Sequence, residues 1–106
     1  MIKVSVFYPN KAGAQFNHEY YKNTHMPLVK SRMGAALKYY TVEKGLAGGA
    51  PGEGPTYVAM CHLLCDSVES FQAAFGPHAG EILADVANYT DIQPVMQISE
   101  VVVERA

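Results

Sequence analysis

Of the four histidines in this chain, His25 has the surroundings best suited to chemistry. It stands in "FNHEYYKNTHMPLVKSRMG" (16–34), among tyrosines and methionines and two residues before Pro27. Imidazole gains and loses a proton near neutral pH, so a ring held against an apolar wall can act as general acid or base. Pro27 has no amide hydrogen, so the carbonyl of Asn23 loses its helical partner and Met26 is biased away from helical backbone. The spacing predicts a helix that breaks or bends between about Asn23 and Pro27. His25 would sit at the notch, with Tyr21 one turn back on the same side. One ring nitrogen could then orient against backbone while the other faces a cavity. The plain alternative is a ring that only satisfies the broken helix.

The remaining chemistry-bearing residues are less suggestive. His62 lies in a strand-like run and faces opposite to Cys61, which suits a sheet or dimer-interface histidine as well as a site residue. His78 follows Gly76-Pro77 in the first turn of a helical segment, and His18 reads as a surface position. No histidine pair has the spacing of a zinc or two-histidine iron site, and no carboxylate is placed to complete one, so no metal is expected. The serines have no triad context, and "GLAGGAPGEGP" (45–55) lacks the lysine and following helix of a phosphate loop. Cys61 and Cys65, four residues apart along a strand, are separated by about 13 Å, beyond disulfide reach. They read as reduced apolar fillers of a reducing compartment.

The elements that must position these groups follow from periodicity. "IKVSVFY" (2–8) alternates as a strand. Asn17 is a good N-cap for the helix carrying His25, with Glu19 in the first turn and Phe16 and Tyr21 spaced as a hydrophobic staple. The second part of that helix, Pro27 to Met33, ends at Gly34. Strands are expected at 37–45 and 57–65. The glycine-rich loop between them is longer than most strand links, which suggests a flap over a pocket. Asp66 and Glu69 have capping-box spacing ahead of the stripe Val68, Phe71, Phe75. A further helical segment covers 77–87 with Ile82 and Val86 inward, and "DIQPVMQISEVVVE" reads as a long last strand with Pro94 near its start. The order β-α-β-β-α-β is the ferredoxin-like α+β arrangement, an antiparallel sheet with both helical units on one face.

With 106 residues and no linker, the chain reads as one domain, 1–106. Its eight basic residues are scattered and the net charge is −2, which argues against nucleic-acid binding. No apolar run approaches the ~18 residues of a membrane span and the N-terminus lacks a signal-peptide core, so a cytoplasmic protein is expected. The strand 57–65 and the end "VVV" (101–103) are apolar on both faces, although two helical units can cover only one. A second copy packed sheet against sheet is the simplest cover, and a homodimer is expected.

"FNHEYYKNTHMPLV" resembles the signature of the EthD family, named for ethyl tert-butyl ether degradation, through Tyr20, Tyr21, His25, Pro27 and Leu28. "GLAGG", "DSVESFQAAFGPH" and "NYTDIQPVMQISEVV" resemble the rest of that pattern. The resemblance implies a dimeric α/β barrel, in which ferredoxin-like protomers close their sheets together. Proteins of this architecture include cofactor-free oxygenases, lactone isomerases, polyketide cyclases and haem proteins. Many hold the ligand between sheet and helices, within reach of His25. The expectation is a cofactor-free enzyme acting on a hydrophobic, aromatic or carbonyl-bearing metabolite. His25 would be the general base or acid, and Tyr21 or Tyr20 the donor to a developing oxyanion. Met26, Met33, Met60 and Phe75 would supply apolar walls, with His62, His78 and Tyr89 as further ligand-binding candidates; for the wall residues, plain core packing is the competing reading. A non-catalytic binding or accessory module is the alternative function. Haem binding through one histidine finds no support in the spacing.

Overall fold

The computed structural model describes residues 1–106. Four strands, β1 (Ile2–Pro9), β2 (Tyr39–Lys44), β3 (Tyr57–Cys65) and β4 (Val95–Glu100), form one antiparallel sheet in the order β2-β3-β1-β4. The first helical unit is α1 (His18–Tyr20), a π-helical turn (Tyr21–His25) and α2 (Met26–Met33). The second is α3 (Val68–Phe75) and α4 (Ala79–Asp85), joined by a 3₁₀ turn at Gly76–His78. This is the expected ferredoxin-like α+β fold, with β1 and β3 paired in the middle of the sheet and each joined to an edge strand by a helical crossover.

The register assigns each side chain to a face. Val4, Val6 and Tyr8 of β1 lie opposite Leu63, Cys61 and Ala59 of β3, and Val4 and Val6 also oppose Ile98 and Met96 of β4. Directly opposed residues share a face. The β1 and β3 residues meet Tyr21, Met26, Val29 and Met33 from the first helical unit and Phe71 and Ile82 from the second in one core, while Ile98 and Met96 of β4 stay exposed at its edge. The opposite, outer face carries Phe7, Met60, His62 and Tyr39, together with Ser5, Thr41, Glu43 and Gln97. It is more mixed than the alternation in the sequence suggested, because Lys3, Ser5, Thr41, Glu43, Gln97 and Ser99 all fall on it.

Four local expectations change. The helix does not break before Pro27. Met26 keeps helical backbone (φ −66°, ψ −39°) and donates its N–H to the Tyr21 carbonyl, five residues back. The π turn absorbs one extra residue and leaves Pro27 in the first turn of α2, where its missing N–H is tolerated. Keeping the helix intact buries Met26, Val29 and Met33 together, and that packing overrides the local bias on Met26. Second, the cap of α3 is Ser67, not Asp66: its extended backbone lets the hydroxyl accept the Ser70 N–H at 3.0 Å. Third, β2 spans 39–44, not 37–45. Fourth, β4 stops at Glu100, which pairs with Ile2; Val101 still donates its N–H to the Met1 carbonyl at 3.1 Å, and no strand continues beyond to pair with Val102 and Val103. Val102 and Val103 are exposed, and the chain turns so that Tyr39 donates to Glu104.

Candidate functional site

The π turn presents His25 to the core side of the sheet, where it is 4% exposed. Asn17 starts the helix by accepting the Tyr20 N–H, and Phe16 stacks edge-on with Tyr21, as the staple spacing predicts. Tyr21 lies nearly parallel to the His25 ring at 5.6 Å, while Tyr89 packs on it at 4.6 Å. These aromatic neighbours hold the imidazole in one orientation.

Its partner is Asp85, at the end of α4. His25 Nδ1 lies 2.9 Å from Asp85 Oδ2, while Asp85 Oδ1 accepts from the Tyr20 hydroxyl at 2.7 Å and from Asn88 Nδ2 at 2.9 Å. Arg32 of α2 forks onto Glu81, one turn before Asp85, at 2.7 and 2.9 Å. The dyad therefore sits where α4 docks against the first helical unit. Asp85 is partly desolvated, which by itself raises its pKa. The hydrogen bonds from Tyr20, Asn88 and His25 outweigh that and hold the carboxyl below its ordinary range. Burial lowers the pKa of His25, against the opposing pull of Asp85, so the ring is neutral at pH 7. A neutral ring facing an ionised acceptor carries its proton on Nδ1. Nε2 is left as a free base, with no hydrogen bond inside the chain.

His25 lines a cavity of about 50 Å³ between the sheet and both helical units, walled by Val6, Val29, Leu63, Phe71, Ile82 and others. Tyr8 is the only tyrosine on its wall. Pro94, Met96 and Leu83 stand at its β4 side, and Met96 and Leu83 are largely exposed, so the cavity opens past the sheet edge. The volume suits one or two water-sized molecules. A larger ligand must displace flexible Met26 and Met96 or extend through this opening.

The other residues singled out in the sequence are distributed as follows. Met26 and Phe75 line the cavity. Tyr21 and Tyr89 touch the His25 ring from outside the cavity wall, and Tyr20 is held by Asp85. Met33 is buried in the core away from the cavity, and His78 lies in the 3₁₀ turn before α4. His62 and Met60 lie on the outer face of the sheet and are not brought to His25. His62 Nδ1 is 2.7 Å from Ser5 Oγ, and Nε2 lies 3.5 Å from Glu43. The glycine-rich loop does not overhang the cavity; it folds on itself through Gly48 N–H to Glu53 O. His18 is half-buried against Phe16. No three His, Cys, Asp or Glu side chains converge in a way that could hold a metal ion.

Sequence reasoning missed Asp85, Asn88 and Tyr8. The one signal for Asp85 was an acid in the otherwise apolar "ILADVANY", four residues after Glu81 on the same helical face. Tyr8 read only as one residue of the alternating strand 2–8, and nothing local distinguished it.

Comparison with known proteins fits this architecture. A crystal structure of an EthD-like protein from Ralstonia eutropha JMP134 superposes with a TM-score of 0.95 at 63% identity, covering 99% of this chain and 95% of that one. An ethyl tert-butyl ether degradation (EthD) family protein from Bacillus halodurans C-125 aligns with a TM-score of 0.65 at 22% identity, over 94% and 97% of the two chains. A dimeric ferredoxin-like protein of unknown function from Thermobifida fusca YX shares the fold, with a TM-score of 0.56 at 19% identity over 92% and 88%. No curated protein matches the sequence significantly. The family model described as the EthD domain matches residues 12–93, a span that holds the whole interrupted helix and both members of the His25–Asp85 pair, and the chain belongs to the EthD family.

Proposed function

We propose that this protein transforms a small hydrophobic, aromatic or carbonyl-bearing metabolite by cofactor-free acid/base chemistry, with His25 as the base. One observation carries the reading: an imidazole oriented by a buried-side carboxylate, its second nitrogen unpartnered, on the wall of an otherwise apolar cavity. Asp85 orients the ring and stabilises the imidazolium formed when Nε2 takes a proton. The hydrophobic wall favours an uncharged ligand, since no Lys or Arg lines it. The test is turnover of a panel of small carbonyl metabolites by wild type, His25→Gln and Asp85→Asn. Loss of turnover in His25→Gln with ligand affinity kept supports the reading, and unchanged turnover overturns it.

A second reading is a non-catalytic binding or accessory protein of an oxidative degradation pathway. The modest cavity favours it, as does the lack of any carboxyl group on the wall. Ligand affinity in wild type without turnover of any panel member would select it.

The working unit is proposed to be a homodimer of single-domain chains with the outer sheet faces together, supported by the Phe7, Tyr57 and Met60 surface that no helix covers. No helix is long and apolar enough to cross a membrane. The free, buried Cys61 and Cys65 suit a cytoplasmic setting.

A further inference from the structure

We propose that Tyr8, and neither tyrosine of the first helix, donates the hydrogen bond to the substrate's carbonyl oxygen, which makes the ligand a neutral ketone with a hydrogen on the carbon beside that carbonyl. The proposal rests on the acid/base reading of His25 and specifies its substrate class.

Neither helix tyrosine is placed to donate into the cavity. Tyr20 has one proton and gives it to Asp85 at 2.7 Å. Tyr21 does not line the cavity, and its hydroxyl is buried with no hydrogen-bond partner. Tyr8 of β1 lines the same cavity as His25. Its hydroxyl lies 2.6 Å from that of Tyr89. Two hydroxyls joined by one hydrogen bond hold two protons, of which the contact uses one. When Tyr89 donates to Tyr8, the Tyr8 proton is free for the cavity, and donation from Tyr89 strengthens it. Tyr89 also packs on His25, so the base and the donor are braced by one ring. Burial raises the Tyr8 pKa to about 12, so the phenol keeps its proton at neutral pH. With no cationic side chain on the wall, an anionic substrate would find no counter-charge and would face Asp85 behind His25.

The step balances without an oxidant. Nε2 of His25 takes the proton from the carbon beside the carbonyl. The released C–H pair becomes the C=C of an enolate, and the carbonyl π pair moves to oxygen, which accepts from Tyr8. Once Nε2–H has traded its proton for one from solvent, delivery to the same carbon completes exchange, whereas delivery to a conjugated carbon completes isomerisation; either way the base is restored.

The experiment uses cyclopentanone as probe, in D₂O, with two readouts: loss of its α-hydrogens by proton NMR, and the infrared carbonyl band of bound ¹³C-labelled ketone. Wild type should exchange the α-hydrogens faster than buffer and show the carbonyl band at lower frequency than Tyr8→Phe does. Tyr8→Phe should lower kcat by about 100-fold with little change in KM, the usual effect of removing one oxyanion donor. Tyr89→Phe keeps the Tyr8 hydroxyl and should give a smaller loss. An unchanged kcat, or the same carbonyl frequency in wild type and Tyr8→Phe, overturns the assignment of Tyr8. A frequency shift that depends on Tyr8, with no α-exchange by wild type, overturns the acid/base reading but supports the Tyr8 contact. Absence of both effects overturns both.

Discussion

Replacing Asp85 by Asn tests whether the carboxylate sets the protonation of His25. The side chains are nearly equal in size, so packing between α4 and the first helical unit is kept. What changes is the acceptor. Asp85 takes three hydrogen bonds, from Tyr20, His25 and Asn88, at 2.7, 2.9 and 2.9 Å. Hydrogen bonds to a charged group are each worth about 1.5–3 kcal/mol, roughly twice a neutral one. Because this site is partly wet and the amide oxygen retains one acceptor, the net loss should be about 2 kcal/mol, or roughly 10 °C in Tm for a domain of this size. The chemical consequence is larger. An amide NH₂ turned to Nδ1 makes that nitrogen the acceptor and moves the ring proton to Nε2, so the base is occupied before substrate arrives. Activity should fall by about 10²–10⁴-fold, the usual contribution of a positioned base. The pull that Asp85 exerts upward on the His25 pKa also disappears, leaving burial alone to lower it further. Nitrogen-15 NMR of labelled histidine reads both effects: wild type should show Nδ1–H, and Asp85→Asn should show Nε2–H. If the tautomer and the titration of His25 are the same in both proteins, the dyad does not control the ring and the reasoning fails.

Stability should decline on acidification in two windows. The folded pKa of His25 lies below the ordinary histidine value of 6.5, so the unfolded chain takes up that proton first and stability falls as pH drops below 6.5. Asp85, held below 3.8, contributes stability that is lost only below that value. Thermal melts from pH 8 to 3 check both, and His25→Gln should flatten the upper window. Gly45→Ala should destabilise the protein by about 1–3 kcal/mol, because a Cβ there would run into the Tyr57 carbonyl and Pro55; a melt unchanged within error would contradict the described loop. Met60→Glu on the outer face should weaken self-association without lowering the monomer's helix content. Sedimentation velocity at micromolar concentration beside circular dichroism tests this, and an unaltered dimer would place the interface elsewhere.

Period-2 and period-3.6 patterns, together with caps such as Asn17 and the stop at Gly34, were enough to place all four strands and both helical units, because those signals act between neighbours in the chain. The importance of His25 was also local: an ionisable ring beside a proline among apolar residues is unusual wherever the chain folds. Helix continuity through Pro27 was not local. It depends on Met26, Val29 and Met33 reaching a core built by strands on either side, and that burial outweighs the backbone bias of a residue before proline. Likewise, the edge at Glu100 exists because β1 begins at Ile2, a fact about register across 98 residues of chain. The site divides the same way. Sequence singled out His25, the proposed base, but the carboxylate that pairs with it lies 60 residues away on α4 and the proposed donor belongs to β1. Hydrogen-bond partners at such separation leave no spacing pattern, and only the docking of the two helical units over one sheet face brings them to a single ring.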